Sequence, residues 1–371
     1  MEVKEEVVSH DFVEFKDQLI TVGRKSIVMS STDLSAWNST QIGLPDALNA
    51  ASSCKGSTVL VGKNGSVITL QGILEDAISL VQQQVGLGSF NDVFCDGQYW
   101  TAVGYNRSSE DAGIITSTNG ISWKTHEVSG YYYNKVFARN GSWKAAGVNG
   151  IVASWSSGAS NWGTEEIYEY NYLDLNDIYA NDEYWITIGP VLDVAGIFTL
   201  FNGESEWSYW QCGYVSRSIS YDSVHIDSDS GSIVAVGSAG IAYSTNGSYW
   251  EEIPIEYGSY YRGIYSHAGK WIAVGANQKG GLVSISVDGT SWSSQQIGQS
   301  KINKVLAEQG LWVTVGNDGQ ITSSLDGVNW IIHKSTINKY DYQDIVYDTV
   351  NHQWIAVGQS GQVFSAVEPA H

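Results

Sequence analysis

The sequence predicts an all-β fold, a single β-propeller of four-stranded antiparallel blades, on three observations. A short apolar segment ending in glycine occurs nine times along the 371 residues. Hairpin-forming residue pairs recur ahead of these segments. Helical periodicity is nearly absent. A repeat period of about 40–50 residues built of short strands is the signature of one propeller blade per repeat.

The glycines are Gly23, Gly62, Gly104, Gly147, Gly189, Gly237, Gly275, Gly316 and Gly358, spaced 38 to 48 residues apart. Ahead of them stand pairs such as Asp96-Gly97, Asn140-Gly141, Asn181-Asp182, Ala268-Gly269 and Gln309-Gly310. These tolerate the positive φ of tight hairpins. The strand before each pair is the first of its blade, and the glycine segment is the second. A further turn leads into a third strand, as in NGSVI from Asn64 or DGQITSS from Asp318. A last turn and an outer strand complete the unit. The repeats run near 12–43, 46–85, 90–130, 133–168, 175–212, 219–256, 260–298, 301–337 and 343–367. Segment 74–85 reads either as a helix or as an outer strand. The last repeat lacks its outer strand, and the strand-like segment 3–9 is expected to supply it. That gives one domain over 1–371, a nine-bladed ring closed by its N-terminal strand, with eight blades as the alternative.

Composition limits function. There are 39 acidic against 19 basic residues, a formal net charge of −20. Nucleic acid and anionic membranes need a basic face, so neither is an expected partner. No apolar run approaches the ~20 residues of a membrane span, so no membrane insertion is expected. Cys54, Cys95 and Cys212 are widely spaced with no CxxC, which predicts buried free thiols and neither a disulfide framework nor a thiolate metal site. The histidines lack metal-ligand spacing, and no phosphate loop is present. The segment DSDSG at 227–231 resembles half of a calcium loop but lacks the downstream glutamate, so it reads as a hairpin turn. No metal and no cofactor are expected. The acidic start has no apolar signal-peptide core, which predicts synthesis in the cytoplasm.

The turn before the outer strand carries a specific motif, Ser-x-Asp/Asn-Gly-x-x-Trp. It occurs five times, at Asp33 and Trp37, Asn119 and Trp123, Asn246 and Trp250, Asp288 and Trp292, and Asp326 and Trp330, with looser versions ending at Trp162 and Trp207. The Asp or Asn can accept hydrogen bonds from the turn's own backbone, glycine supplies positive φ, and the tryptophan can pack between sheets. These positions are therefore expected to be structural. Six of the nine repeats also have tryptophan four residues before the anchoring glycine, a core position. The motif resembles the Asp-box, the bacterial-neuraminidase repeat of sialidases, sortilin-type receptors, a photosystem II assembly factor and various phage virion proteins. Within that group the chain looks most like a phage virion or tail protein. The resemblance implies a virion component. Its partners would be a cell-surface glycan or other virion subunits, for receptor binding, adhesion or decoration of the particle.

Tyrosines gather in the loops from an outer strand to the next first strand, on the blade end opposite the Asp-box turns. The candidate ligand-binding residues are Tyr105, Arg107, Tyr131, Tyr132, Tyr133, Tyr170, Tyr172, Tyr260, Tyr261, Arg262, Tyr340 and Tyr342. Tyr offers a rigid ring with a hydroxyl that can stay wet. The same residues could instead line the channel mouth. Catalysis is not expected, because the sialidase arginine cluster and its early Arg-Ile-Pro signature are absent. The alternatives are a sialidase-like glycoside hydrolase and an intracellular, cytoplasmic assembly factor.

Overall fold

The computed structural model describes residues 9–367 apart from short stretches, of which 32–37, 42–47, 106–111, 168–172, 213–219 and 334–340 are the longest, and side chains from Asn49 to Ile345. Among the described residues the chain forms nine antiparallel sheets in chain order, eight of four strands and a last one of three. They span 9–41, 48–84, 89–128, 133–166, 177–212, 221–253, 260–296, 302–333 and 342–367. Here they are numbered one to nine. The fold is all-β and multi-bladed. Ala77–Gln84 is a strand, so segment 74–85 contributes an outer strand and no helix. Segment 3–8, expected to close the last blade, lies outside the described residues.

The chain divides into two compact units, residues 1–165 with 346–371, and residues 166–345. Within the first unit, the first strands of sheets one, two, three and four contact one another in turn, and Ser9–Phe15 also meets Gln353–Gly358. Within the second, the first strands of sheets five to eight do the same. The first strand is thus the inner one, and within each unit successive sheets stack face to face.

This stacking explains why the second strands are mostly apolar and why even their polar residues, such as Thr101 and Lys144, are buried. In Lys270–Asn277 all six central residues are buried. Trp271 and Ala273 pack towards sheet six, and Ile272 and Val274 towards sheet eight. Neighbouring side chains on a strand point to opposite faces, and here both faces are covered. The tryptophans that open these strands, Trp100, Trp143, Trp185, Trp271 and Trp312, are all buried. At the hairpin tips Asn140-Gly141 and Ala268-Gly269 both residues have positive φ, as tight hairpins require.

One sequence expectation is corrected. Cys54 and Cys95 are joined in a disulfide, with their Cα atoms 6.2 Å apart. They end the inner strands of sheets two and three, so equivalent positions of adjacent blades meet although they are 41 residues apart in sequence.

Two histidines make the fold sensitive to acid. His126 is buried, with its Nε2 2.8 Å from Thr116 Oγ1, and burial lowers its pKa to about 4. His225 packs on the Tyr265 ring at 4.8 Å, and burial, set against the pull of Asp227, lowers it to about 4 as well. An unfolded histidine titrates near 6.5. Between those values the unfolded chain binds more protons, so stability is complete above about pH 6.5 and falls as pH drops towards 4. Denaturation followed at pH 7 and pH 4.5 should register a loss of about 2 kcal/mol for each histidine, roughly 4 kcal/mol together. The His225→Phe variant should lose visibly less over the same interval.

Candidate functional site

The anchoring glycines are fixed by a close approach. In sheets one to four and six to eight the inner strand carries a bulge at the glycine, and at the glycines of sheets three, six, seven and eight the carbonyl two residues before the bulged one turns onto the glycine. A Cβ placed on Gly104, Gly237, Gly275 or Gly316 would lie 1.9, 2.1, 2.0 or 2.0 Å from the carbonyl oxygen of Ser89, Ser220, Tyr260 or Lys301. No side chain fits there. The residue whose carbonyl is pinned therefore has a fixed backbone, and its side chain stands at the loop end of the blade.

The bulged residue is the next device. The register slips at Asn49, Asn91, Asn134, Asp222, Arg262 and Asn303. Asn49 Nδ2 donates to the Phe90 carbonyl at 2.8 Å, Asn91 Nδ2 to that of Tyr133 at 2.9 Å, and Asn303 Nδ2 to that of Tyr342 at 2.7 Å. Asn176 makes the same bond to Tyr221 at 3.2 Å. A ladder of asparagine amides thus ties successive sheets together. Sequence reasoning did not single these residues out, although they recur at the repeat period beside an apolar residue.

The tyrosines divide. Tyr133, Tyr261 and Tyr342 are buried, and burial pushes the Tyr133 hydroxyl up. Tyr261 Oη bonds Ser284 Oγ at 2.6 Å. They hold the repeat position filled by Phe90 and Ile302 elsewhere, so the expectation that they form surface contacts is corrected for these three. Tyr132 is 45% exposed and meets the Tyr105 ring edge-on at 5.4 Å, while Ser89 Oγ donates to Tyr105 Oη at 3.4 Å. Tyr260 is half-buried and Arg262 exposed. The Arg262 guanidinium carbon lies 5.9 Å from the Tyr260 ring centre, and Lys301 Nζ, which the sequence reading missed, lies 5.6 Å from it. Tyr131, Tyr170, Tyr172, Tyr340 and Arg107 lie outside the described residues.

The motif turns spend their polar groups on themselves. Asn119 Oδ1 accepts from the N–H groups of Ile121 and Ser122 at 2.9 and 2.8 Å. Asp288 Oδ1 accepts from Thr290 and Ser291 at 2.8 and 2.7 Å, and Asp326 Oδ1 from Val328 and Asn329 at 2.8 and 2.7 Å. Asn246 does likewise with Ser248 and Tyr249. The bonds from Ser291 and Thr290 hold the Asp288 carboxyl well below the usual carboxylate range, and those from Asn329 do the same for Asp326. Trp123, Trp250, Trp292 and Trp330 each donate Nε1 to the carbonyl of the turn glycine at 2.8–3.1 Å. Thr199 Oγ1 of sheet five reaches the Gly247 carbonyl at 2.8 Å, so the turn also docks on its neighbour. Asp33 and Trp37 lie outside the described residues. Asp227 accepts from the Ser230 N–H and hydroxyl at 2.8 Å each, as in a closed turn. Among the described residues no group of three or more His, Cys, Asp or Glu side chains could hold a metal ion.

By sequence, no protein-family model and no curated protein matches the chain. By structure it resembles solved propellers. Sqt1 of Chaetomium thermophilum, solved bound to the N-terminus of the ribosomal protein L10, matches with a TM-score of 0.60 at 9% identity, over 98% of this chain and 96% of that one. The C-terminal WD40 domain of Sif2 matches with a TM-score of 0.60 at 11% identity, over 99% and 97%. YCF48 bound to a D1 peptide matches with a TM-score of 0.50 at 12% identity, over 100% and 96%.

The fold is therefore that of a β-propeller. More particularly, it is of the type seen in WD40 domains and in YCF48. This corrects the Asp-box and phage-tail expectation: the propellers just named are of WD40 and YCF48 type. The motif is a self-sufficient turn, and local bonding alone accounts for its recurrence. The expected virion location and the glycan or virion-subunit partners rested on that resemblance and are withdrawn with it. Among the described residues no helix is long and apolar enough to cross a membrane.

Proposed function

We propose that this chain is a non-catalytic scaffold that holds a peptide segment of a protein partner at the loop ends of its blades. The observation that carries this is Tyr132, exposed and braced edge-on by Tyr105, with its backbone fixed where its carbonyl packs on Gly147. A rigid, half-wet aromatic on a fixed backbone is what a contact residue needs. Two of the propellers it resembles were solved with a peptide or protein terminus bound, which supports a protein partner. This is nearer to the assembly-factor alternative than to adhesion. In the same reading each of the nine sheets is one blade.

A peptide-array screen with purified protein tests the function. Wild type should select a set of peptides, and Tyr132→Ala should weaken that binding about tenfold while changing stability by under about 1 kcal/mol. A chain that selects no peptide, or whose selection is indifferent to Tyr132, contradicts the proposal.

A further inference from the structure

Four repeats spend an asparagine on the following sheet at or beside the inner-strand bulge: Asn49, Asn91, Asn176 and Asn303. Sheet seven has given that bond up, for Arg262 occupies its bulge and points to solvent. Its guanidinium and the Lys301 ammonium both lie within 6 Å of the Tyr260 ring centre. The chain carries 39 acids against 19 bases, yet among the described residues neither cation has a carboxylate within ion-pair distance. Asp222, at the same bulge one sheet earlier, is bonded by Ser220 Oγ at 2.5 Å. Ser259 is 8% exposed, and its hydroxyl and that of Tyr260 are buried without a hydrogen-bond partner among the described residues. The Tyr260 and Lys301 carbonyls are pinned on Gly275 and Gly316, so the backbone beneath the cluster is already fixed.

We propose that Ser259, Tyr260, Arg262 and Lys301 form a binding site for an acidic peptide. This rests on the peptide-scaffold reading and names the chemistry of the partner. The planar Arg262 fork takes one carboxylate in a bidentate pair, and Lys301 takes a second as a point charge. In an extended peptide, side chains i and i+2 fall on one side about 7 Å apart, a span that two cations around one ring can meet. The Tyr260 ring offers the intervening methylenes an apolar face. The net charge of −20 repels an acidic ligand at long range, so affinity for one must come from a local site.

The test uses the full chain and a fluorescein-labelled peptide of alternating Glu and Ala, followed by fluorescence anisotropy. The same peptide with Gln for Glu is the comparison. The Glu peptide should bind at least about tenfold tighter than the Gln peptide, and more weakly as salt rises. Arg262→Gln with Lys301→Gln should abolish that preference, and Arg262→Lys should keep part of it. Both variants should melt as wild type does, and Lys124→Gln, at an exposed lysine on the outer strand of sheet three, should change nothing. Equal binding of the two peptides, or a preference that survives the double substitution, overturns the site. If the array yields peptides that need Tyr132 but ignore charge and Arg262, this inference fails and the scaffold reading stands. If neither the array nor the Glu peptide gives binding, both fail.

Discussion

Gly275→Ala should destabilise the protein by about 3 kcal/mol or more, the upper range of overpacking effects. The glycine has ordinary extended backbone, so conformational preference is not the cause. The added methyl would sit 2.0 Å from the Tyr260 carbonyl oxygen and 2.7 Å from the Tyr261 Cα. Relief requires the inner strand of sheet seven to move, and that strand packs on those of sheets six and eight. Gly163→Ala is the control, because nothing lies within 4 Å of its added carbon. Urea denaturation of the two variants should give a large fall in midpoint for the first and almost none for the second. Similar midpoints would mean that the bulge yields easily and that the repeated glycine has some other cause.

Asn303→Asp should be comparably damaging, by about 3 kcal/mol or more. Asn303 is 7% exposed, and its Nδ2 donates to the Tyr342 carbonyl at 2.7 Å and to Asn317 Oδ1 at 2.8 Å. Aspartate keeps the shape but replaces that donor with an oxygen facing two acceptors. The loss should shrink at low pH, where the new carboxyl regains a proton to donate. Asn303→Ala should cost less, since it removes the bond without adding a charge. If Asp and Ala variants unfold alike, the amide ladder is not holding the sheets together.

The architecture was legible because both faces of the second strands of sheets two to eight are buried. That writes an apolar run and a fixed glycine into each repeat, and the run survives even where the rest of the blade drifts. The reason for the glycine was not legible, since a carbonyl approaching from another strand leaves no mark in the local sequence. The asparagine ladder was missed because asparagine reads as a turn residue, whereas here it bulges from a strand and bonds the next sheet. Tyr133, Tyr261 and Tyr342 were read as surface residues from their clustering. Their phase in the repeat, shared with Phe90 and Ile302, was the better signal. The disulfide had a signal too: Cys54 and Cys95 lie about one period apart, and stacking brings equal positions of adjacent blades together. The family reading failed because seven residues that satisfy one another's hydrogen bonds define a turn, and a turn carries no ancestry. Lys301 escaped notice because its role depends on a ring in another blade.

The most direct test of the scaffold account is hydrogen–deuterium exchange of the chain with and without a peptide selected on the array. The account predicts slowed exchange at the loop ends over 103–105 and 132–134, with the motif turns at 244–250, 286–292 and 324–330 unchanged. Protection confined to those turns would place the partner at the opposite end of the blades and contradict it.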